Sequence, residues 1–186
     1  GRGARFVIGP VRCLMLDHRA MTNQAQQTLI DFTAERFGPR SIVTDSDDIA
    51  PWITDWRDRY HGAAPAILQP DSRDAVSAIV ARASDLGVPL VPQGGNTSMV
   101  GGATPPADGS ALILSLRRMN AIRSLSTQDN LAVAEAGVIL QTLHEAAHEA
   151  GRRFPLTLGA RGSATIGGLV STNAGGTQVL RHGTMR

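Results

Sequence analysis

The chain has 186 residues, 18 of them basic and 16 acidic, and its 42% hydrophobic content suits one ordinary domain or part of a larger one. No apolar run approaches the ~18 residues that cross a bilayer, and every basic residue is arginine, which excludes a P-loop lysine and a lysine Schiff base with pyridoxal phosphate. A single cysteine, Cys13, excludes an internal disulfide and a cysteine-based metal site. No acidic residue follows Glu149, whereas Arg152, Arg153, Arg161, Arg181 and Arg186 do, a bias that favours an anionic ligand. Nucleic acid fits on charge alone, but no aromatic platform accompanies the arginines, so no nucleic-acid partner is expected. A diphosphate-bearing cofactor fits as well and needs fewer assumptions. No cleavable apolar signal core is evident, and cytoplasm is the default location.

Residues 1–20 have no clear period, and Met21-Thr22-Asn23-Gln24 reads as a natural start, so 1–20 is expected to be an upstream or vector-derived segment. Thr22 or Asn23 caps a predicted helix running to Phe37, which Gly38-Pro39 ends. Trp52, Trp56 and Tyr60, spaced by four, share one face of a short predicted helix; they serve as anchors to the domain or as a ligand-stacking surface. The preceding stretch, 21–62, is thus a helical segment, and the organised domain is expected over 63–186.

There Ala66-Ile67-Leu68 predicts a short strand stopped by Pro70. Asp71 or Ser72 caps a helix with Ala75, Val76, Ile79, Val80, Ala83 and Leu86 on its apolar face, and Gly87 closes it in the left-handed region. Val88 to Val91 is the next strand, which makes a βαβ unit with parallel strands. Further strands are predicted at Ala111 to Leu116, near Ile122 to Leu125, and at Leu131 to Ala136. A helix follows from Val138 to Ala150, and from Phe154 the chain is rich in Gly, Thr, Ser and Asn.

Three segments have the composition to carry a ligand. Pro92-Gln93-Gly94-Gly95-Asn96-Thr97-Ser98, with Gly101 and Gly102 beyond, follows a strand and offers backbone N–H groups and hydroxyls to an anion; Gly95 is expected at positive φ against phosphate. The spacing is neither a Rossmann turn nor a P-loop, and a glycine loop of this kind is otherwise a tight turn. The second segment runs from Phe154 to Gly168, and the third is Ser171-Thr172-Asn173-Ala174-Gly175-Gly176. Either presents main chain to a flat or phosphorylated ligand, or is a loop that needs positive φ.

Together with Leu114-Ser115-Leu116-Arg117-Arg118-Met119-Asn120 and Glu135-Ala136-Gly137-Val138, these segments resemble the FAD-binding domain of the vanillyl-alcohol-oxidase and p-cresol-methylhydroxylase superfamily, from about Trp52 to the last residue. Within it the resemblance is to the D-2-hydroxyglutarate dehydrogenase, D-lactate dehydrogenase and glycolate oxidase D-subunit group. It implies an α+β fold: a βαβ-containing subdomain, then a more antiparallel one, with FAD between. It assigns the pyrophosphate to Pro92, Gly94, Gly95, Asn96, Thr97 and Ser98, with Gly101 and Gly102 near. The flavin and ribityl side falls to Pro155, Leu156, Gly159, Gly162, Ser163, Thr165, Ile166 and Gly168, continued by Asn173, Ala174, Gly175 and Gly176. Asn96 stands where some relatives carry a flavin-tethering histidine, so FAD is expected to be non-covalent. Ser98-Met99 replaces a common Gly-Leu, and His182 replaces a common tyrosine. The implied reaction is oxidation of a D-2-hydroxy acid by hydride transfer to flavin N5. Relatives are several hundred residues long and place their catalytic groups later, so no catalytic residue is assigned here. This stretch alone is expected to show weak or no FAD retention and to be inactive; an inactive truncated remnant is the alternative.

His144-Glu145-Ala146-Ala147-His148 matches the H-E-x-x-H zinc-protease pattern on a predicted helix. Phe154 stands where a third histidine ligand belongs and no carboxylate follows Glu149, so the helix reads instead as scaffold, with its histidines solvated.

Overall fold

Helix α1 (Gln24–Phe37) begins with a reciprocal cap in which Asn23 accepts from the Gln26 N–H and the Gln26 side chain accepts from the Asn23 N–H. Gly38, at φ 82°, ends it. Residues 22–185 are described in this computed structural model; the expectations for residues 1–20, the start at Met21 and Cys13 fall outside them.

A four-stranded sheet in the order β1-β2-β4-β3 organises the next part of the chain: β1 (Ile42–Val43), β2 (Ile67–Leu68), β3 (Leu90–Gln93) and β4 (Leu112–Ser115). Strands β2, β4 and β3 are parallel, and β1 pairs antiparallel with β2. Between β1 and β2, Asp45 caps the short α2 (Ser46–Ile49) through the Asp47 and Asp48 N–H groups. Helix α3 (Arg73–Leu86) connects β2 to β3, capped by Ser72 and closed by Gly87 at φ 65°, as the sequence predicts. The βαβ unit differs from expectation in one respect: its two strands are parallel but not neighbours, because β4 inserts between them. Strand β3 also starts later than Val88, whose N–H bonds to the Ala83 carbonyl and so belongs to the helix end.

Side chains alternate across the sheet. Leu68, Leu112 and Leu114 face α1 and α3, where they meet Leu29, Ile30, Ile79 and Ala83. Ile67 and Ile113 face the other way, against Ile49 and Ala64, with Trp52 and Ile53 at the margin. Strands β5 (Ile122–Ser126) and β6 (Leu131–Ala134) form a separate antiparallel hairpin. Helix α4 (Leu140–Glu149) follows, then two short helices that the glycine-rich composition concealed, α5 (Ile166–Ser171) and α6 (Val179–His182). A third cluster, around Leu140, Leu156, Ala164 and Leu169, joins α4 to α5.

The predicted helix carrying Trp52, Trp56 and Tyr60 is absent. Ala50–Trp52 is a single 3-10 turn, and the chain then forms an irregular loop closed by a bridge between Thr54 and His61. Trp52 is partly buried, whereas Trp56 and Tyr60 are 59% and 50% exposed.

Leu29 is fully buried where α1 meets α3 and the sheet. Leu29→Ala is expected to lower unfolding free energy by about 2–5 kcal/mol in denaturant titration. Val80→Ala, at a site 46% exposed on α3, should change it by no more than about 0.5 kcal/mol.

Candidate functional site

Strand β3 ends at Gln93, whose buried side chain donates from Nε2 to the Trp52 and Ala103 carbonyls, each at 2.8 Å. Gly94 and Gly95 come next, and neither has positive φ. Their requirement is close approach. A Cβ on Gly94 would overlap Thr165 Oγ1, and one on Gly95 would overlap the Ser163 carbonyl oxygen. The left-handed backbone expected at Gly95 falls instead on Asn96, at φ 52°, whose Nδ2 donates to the Thr54 carbonyl at 2.8 Å.

The loop before β2 holds this turn from behind. The buried Asp55 carboxylate accepts from the N–H groups of Tyr60 (2.7 Å), Arg59 (2.7 Å) and Arg57 (3.3 Å). This knot, with Asp58 at φ 57°, replaces the helix expected from the aromatic spacing: a carboxylate organising three backbone donors fixes a turn. The Tyr60 N–H is the largest cause holding Asp55 below the ordinary carboxylate range; burial opposes it, and the Arg59 and Arg57 N–H groups add to it. Tyr60 in turn lies against Gly101, which sits at φ 71°.

On the far side, residues 136–140 pair with 164–167. Leu140 N–H donates to Ala164 (2.9 Å), Ile166 N–H to Val138 (2.8 Å) and Gly167 N–H to Ala136 (2.8 Å). Gly137 donates to the Met119 carbonyl at 2.7 Å, and a Cβ there would overlap the Leu116 carbonyl. Between these strands of chain lies a cleft of about 390 Å³ lined by Arg117, Asn120, Gly137, Ile139, Thr142, Gly162, Ser163 and Thr165. Among the described residues no carboxylate lines it. A smaller hollow of about 210 Å³ lies among Phe154, Pro155, Leu156, Gly175, Gln178, His182, Gly183, Thr184 and Met185. The third glycine segment is tied to the second there: Thr177 N–H donates to Thr157 at 2.9 Å, and a Cβ on Gly176 would overlap that same carbonyl.

Residues 64–186 match the protein family described as FAD binding domain. The chain belongs to that FAD-binding family. A D-2-hydroxyglutarate dehydrogenase, mitochondrial, of Bos taurus is 40% identical over 152 residues, which cover 82% of this chain and 28% of that protein. The protein of the same name from Arabidopsis thaliana is 37% identical over 156 residues, 84% of this chain and 28% of its own. The chain therefore spans 28% of the length of these relatives. A solved alkyldihydroxyacetonephosphate synthase superposes with a TM-score of 0.77 over 85% of this chain and 31% of that one, at 21% identity, which shows a shared fold. The α+β architecture is the p-cresol-methylhydroxylase-type FAD-binding fold that the resemblance implied, and FAD is the family's cofactor.

The cleft suits such a group. It presents a guanidinium, a carboxamide and hydroxyls without an opposing acid. Gly162 leaves it open, since a Cβ there would meet nothing within 4 Å. Its volume lies within the ~300–1,000 Å³ usual for small-molecule clefts, and a dinucleotide would extend beyond it.

The residues singled out from sequence fall in several places. Gly162, Ser163 and Thr165 line the larger cleft, and Pro155, Leu156 and Gly175 the smaller hollow. Gly94 and Gly95 are pressed against 163–165 rather than lining the cleft, Asn96 turns to Thr54, and Thr97 and Ser98 follow it outside the lining. Pro92 lies on β3, Ile166 and Gly168 on α5 beyond the Thr165 cap, and Asn173 (φ 50°) and Ala174 at its C-terminal end. Gly102 and Gly159 face open space. Sequence reasoning missed Arg117, Asn120, Gly137, Ile139 and Thr142 as cleft residues; Arg117, Asn120 and Gly137 lie in segments that carry the family resemblance but were given no role there.

The His144 motif has a structural explanation that differs from the solvated one expected. His144 donates from Nε2 to the Leu156 carbonyl at 2.7 Å and is partly buried beside Phe154, while His148 is exposed. Among the described residues no group of three His, Cys, Asp or Glu side chains is placed to hold a metal, and no helix is long and apolar enough to cross a membrane.

Two outcomes test this geometry. Gly95→Ala should destabilise the chain by about 1–3 kcal/mol in thermal melts even without ligand, through overlap with Ser163, while Gly102→Ala should stay within about 0.5 kcal/mol. Asp55, with its folded pKa depressed, contributes stability that is present above the unfolded carboxylate pKa of about 4 and is lost as pH falls through the folded value. Asp55→Asn should therefore melt lower than the parent at neutral pH, with the gap closing as the solution is acidified through that range. A gap that does not vary with pH would show that the carboxylate charge is immaterial.

Proposed function

We propose that residues 63–186 form an FAD-binding domain, preceded by the helical segment 21–62, and that the complete protein oxidises a D-2-hydroxy acid of the lactate, 2-hydroxyglutarate or glycolate type. The observation that carries the reading is the convergence of three glycine segments. Gly94-Gly95 lies against Ser163 and Thr165, and Gly176 against Thr157, so backbone N–H groups and hydroxyls from distant parts of the sequence share one region beside an acid-free cleft. The dehydrogenase names of the relatives supply the substrate class.

In this reading, Gly94, Gly95, Asn96, Thr97 and Ser98 hold the pyrophosphate, with Pro92, Gly101 and Gly102 shaping their approach. Pro155, Leu156, Gly159, Gly162, Ser163, Thr165, Ile166 and Gly168 line the flavin and ribityl side, and Asn173, Ala174, Gly175 and Gly176 continue that wall. When bound, FAD accepts the hydrogen and electron pair removed from the substrate carbon. The chain's own residues bind and orient it, and His144 fixes the Leu156 carbonyl behind that wall. Asn96, standing where some relatives carry a tethering histidine, has no ring nitrogen to bond the flavin, and its carboxamide donates to Thr54 instead. For location we keep cytoplasm as the proposal, while the names of the relatives place those proteins in mitochondria; fractionation of cells expressing the chain decides it.

Titrating the chain with FAD should quench flavin fluorescence saturably, with all flavin released on acid denaturation. Exchanging this segment for the matched segment of the Bos taurus protein should yield a yellow protein. Anaerobic addition of the D-hydroxy acid should bleach it, and the L-enantiomer should not. Absence of quenching in the chain, together with a colourless chimera, would sink the assignment.

A further inference from the structure

Arg117 and Arg118 are adjacent, yet their surroundings differ. Arg118 is committed to the fold: Nη1 donates to the carbonyls of Arg40 (3.1 Å) and Gln69 (2.8 Å), and Nη2 to the Asp71 carboxylate (2.9 Å). Arg117 turns the other way. Its Nε donates to the Gly94 carbonyl at 2.9 Å, and its guanidinium carbon lies 4.3 Å from the centroid of the Trp52 ring. These two contacts fix the plane of the guanidinium where the Gly94–Ser98 loop meets the cleft, which Arg117 also lines. Among the described residues neither Nη group has a hydrogen-bond partner, and no carboxylate lies within ion-pair reach.

A long side chain held in one geometry has already given up most of its rotamer entropy before a ligand arrives. Its two Nη groups form a planar fork matched to the oxygens of a phosphate. The Nε–H bond also occupies the Gly94 carbonyl, an acceptor that would repel an anion brought to this turn. Resting on the reading that the glycine segments hold FAD, we propose that Arg117 is a cofactor-binding residue that takes the anionic diphosphate through its Nη groups while its Nε fixes the Gly94 carbonyl.

The test compares FAD with riboflavin, which lacks phosphate, in fluorescence titrations of the 186-residue chain at low and raised salt. The parent should bind FAD more tightly than riboflavin, and salt should weaken FAD binding. Arg117→Ala should weaken FAD by about tenfold or more and flatten its salt dependence, leaving riboflavin unchanged. Arg117→Lys should recover the salt dependence and part of the affinity. Thermal melts report folding, and Arg117→Gln, which keeps a donor near the Nε position without charge or the Nη fork, replaces the alanine variant if that one unfolds. FAD affinity indifferent to Arg117, equal losses for both ligands, or a loss with the salt dependence intact would each overturn the proposal and leave the FAD reading standing. Should the parent chain bind neither ligand, the same variants are compared in the chimera with the Bos taurus protein, and a colourless chimera would overturn that reading and the proposal together.

Discussion

The main chain at Gly94-Gly95 lies so close to Ser163 and Thr165 that neither glycine has room for a Cβ, and the rest of the candidate site hangs on that approach. It joins the parallel sheet, through the end of β3, to the segment leading into α5. Hydrogen bonds then propagate the junction: residues 136–140 pair with 164–167, and Gly176 and Thr177 close on Thr157. Each of these is a backbone-to-backbone arrangement, so their geometry depends on side chains being absent as much as on side chains being present. Glycine at such positions costs about 0.5–1 kcal/mol of backbone entropy relative to alanine. That is a modest sum beside the several main-chain bonds that close approach permits.

The junction is stiffened from outside by the loop between α2 and β2. That loop has little regular structure, yet it makes three attachments around the glycine turn, Trp52 carbonyl to Gln93, Thr54 carbonyl to Asn96 and Tyr60 to Gly101, and a fourth from the Trp52 ring to Arg117, which itself bonds the Gly94 carbonyl. Asp55 orders the loop so that these groups point the right way. A site built from backbone N–H groups needs this kind of support, because a glycine turn unconstrained by side chains would otherwise sample many conformations.

Local chemistry was legible in the sequence, and long-range approach was not. The capping residues and Gly87 located α3 to within a residue or two, because a helix end is decided by neighbours in the chain. The insertion of β4 between β2 and β3 leaves no local trace, since a buried parallel strand reads the same at the centre of a sheet as at its edge. The spacing of Trp52, Trp56 and Tyr60 suggested a helix because periodicity ignores competition from side chains. Asp55 captures three backbone donors, and the turn wins. Gly95 was expected at positive φ, and crowding by Ser163 demands the glycine instead: sequence shows that a glycine is present but not which of the two requires it.

The same limit explains why the glycine segments could be named while the cleft beside them could not. Thr165 illustrates the point. It reads as one polar residue in a glycine-rich loop, yet it caps α5 through its hydroxyl, crowds Gly94 with that same oxygen, bridges to Ile139 and lines the cleft. Ile139 precedes α4, and Thr142 lies within it, in a stretch whose periodic apolar residues indicate scaffold alone. They reach the cleft because the Ile139–Thr165 bridge brings the start of α4 to the loop. A residue's membership of the site is thus set by which two segments the bridge joins. The glycines mark where chains can meet, and the side chains around them acquire their roles only once the fold has chosen the meeting.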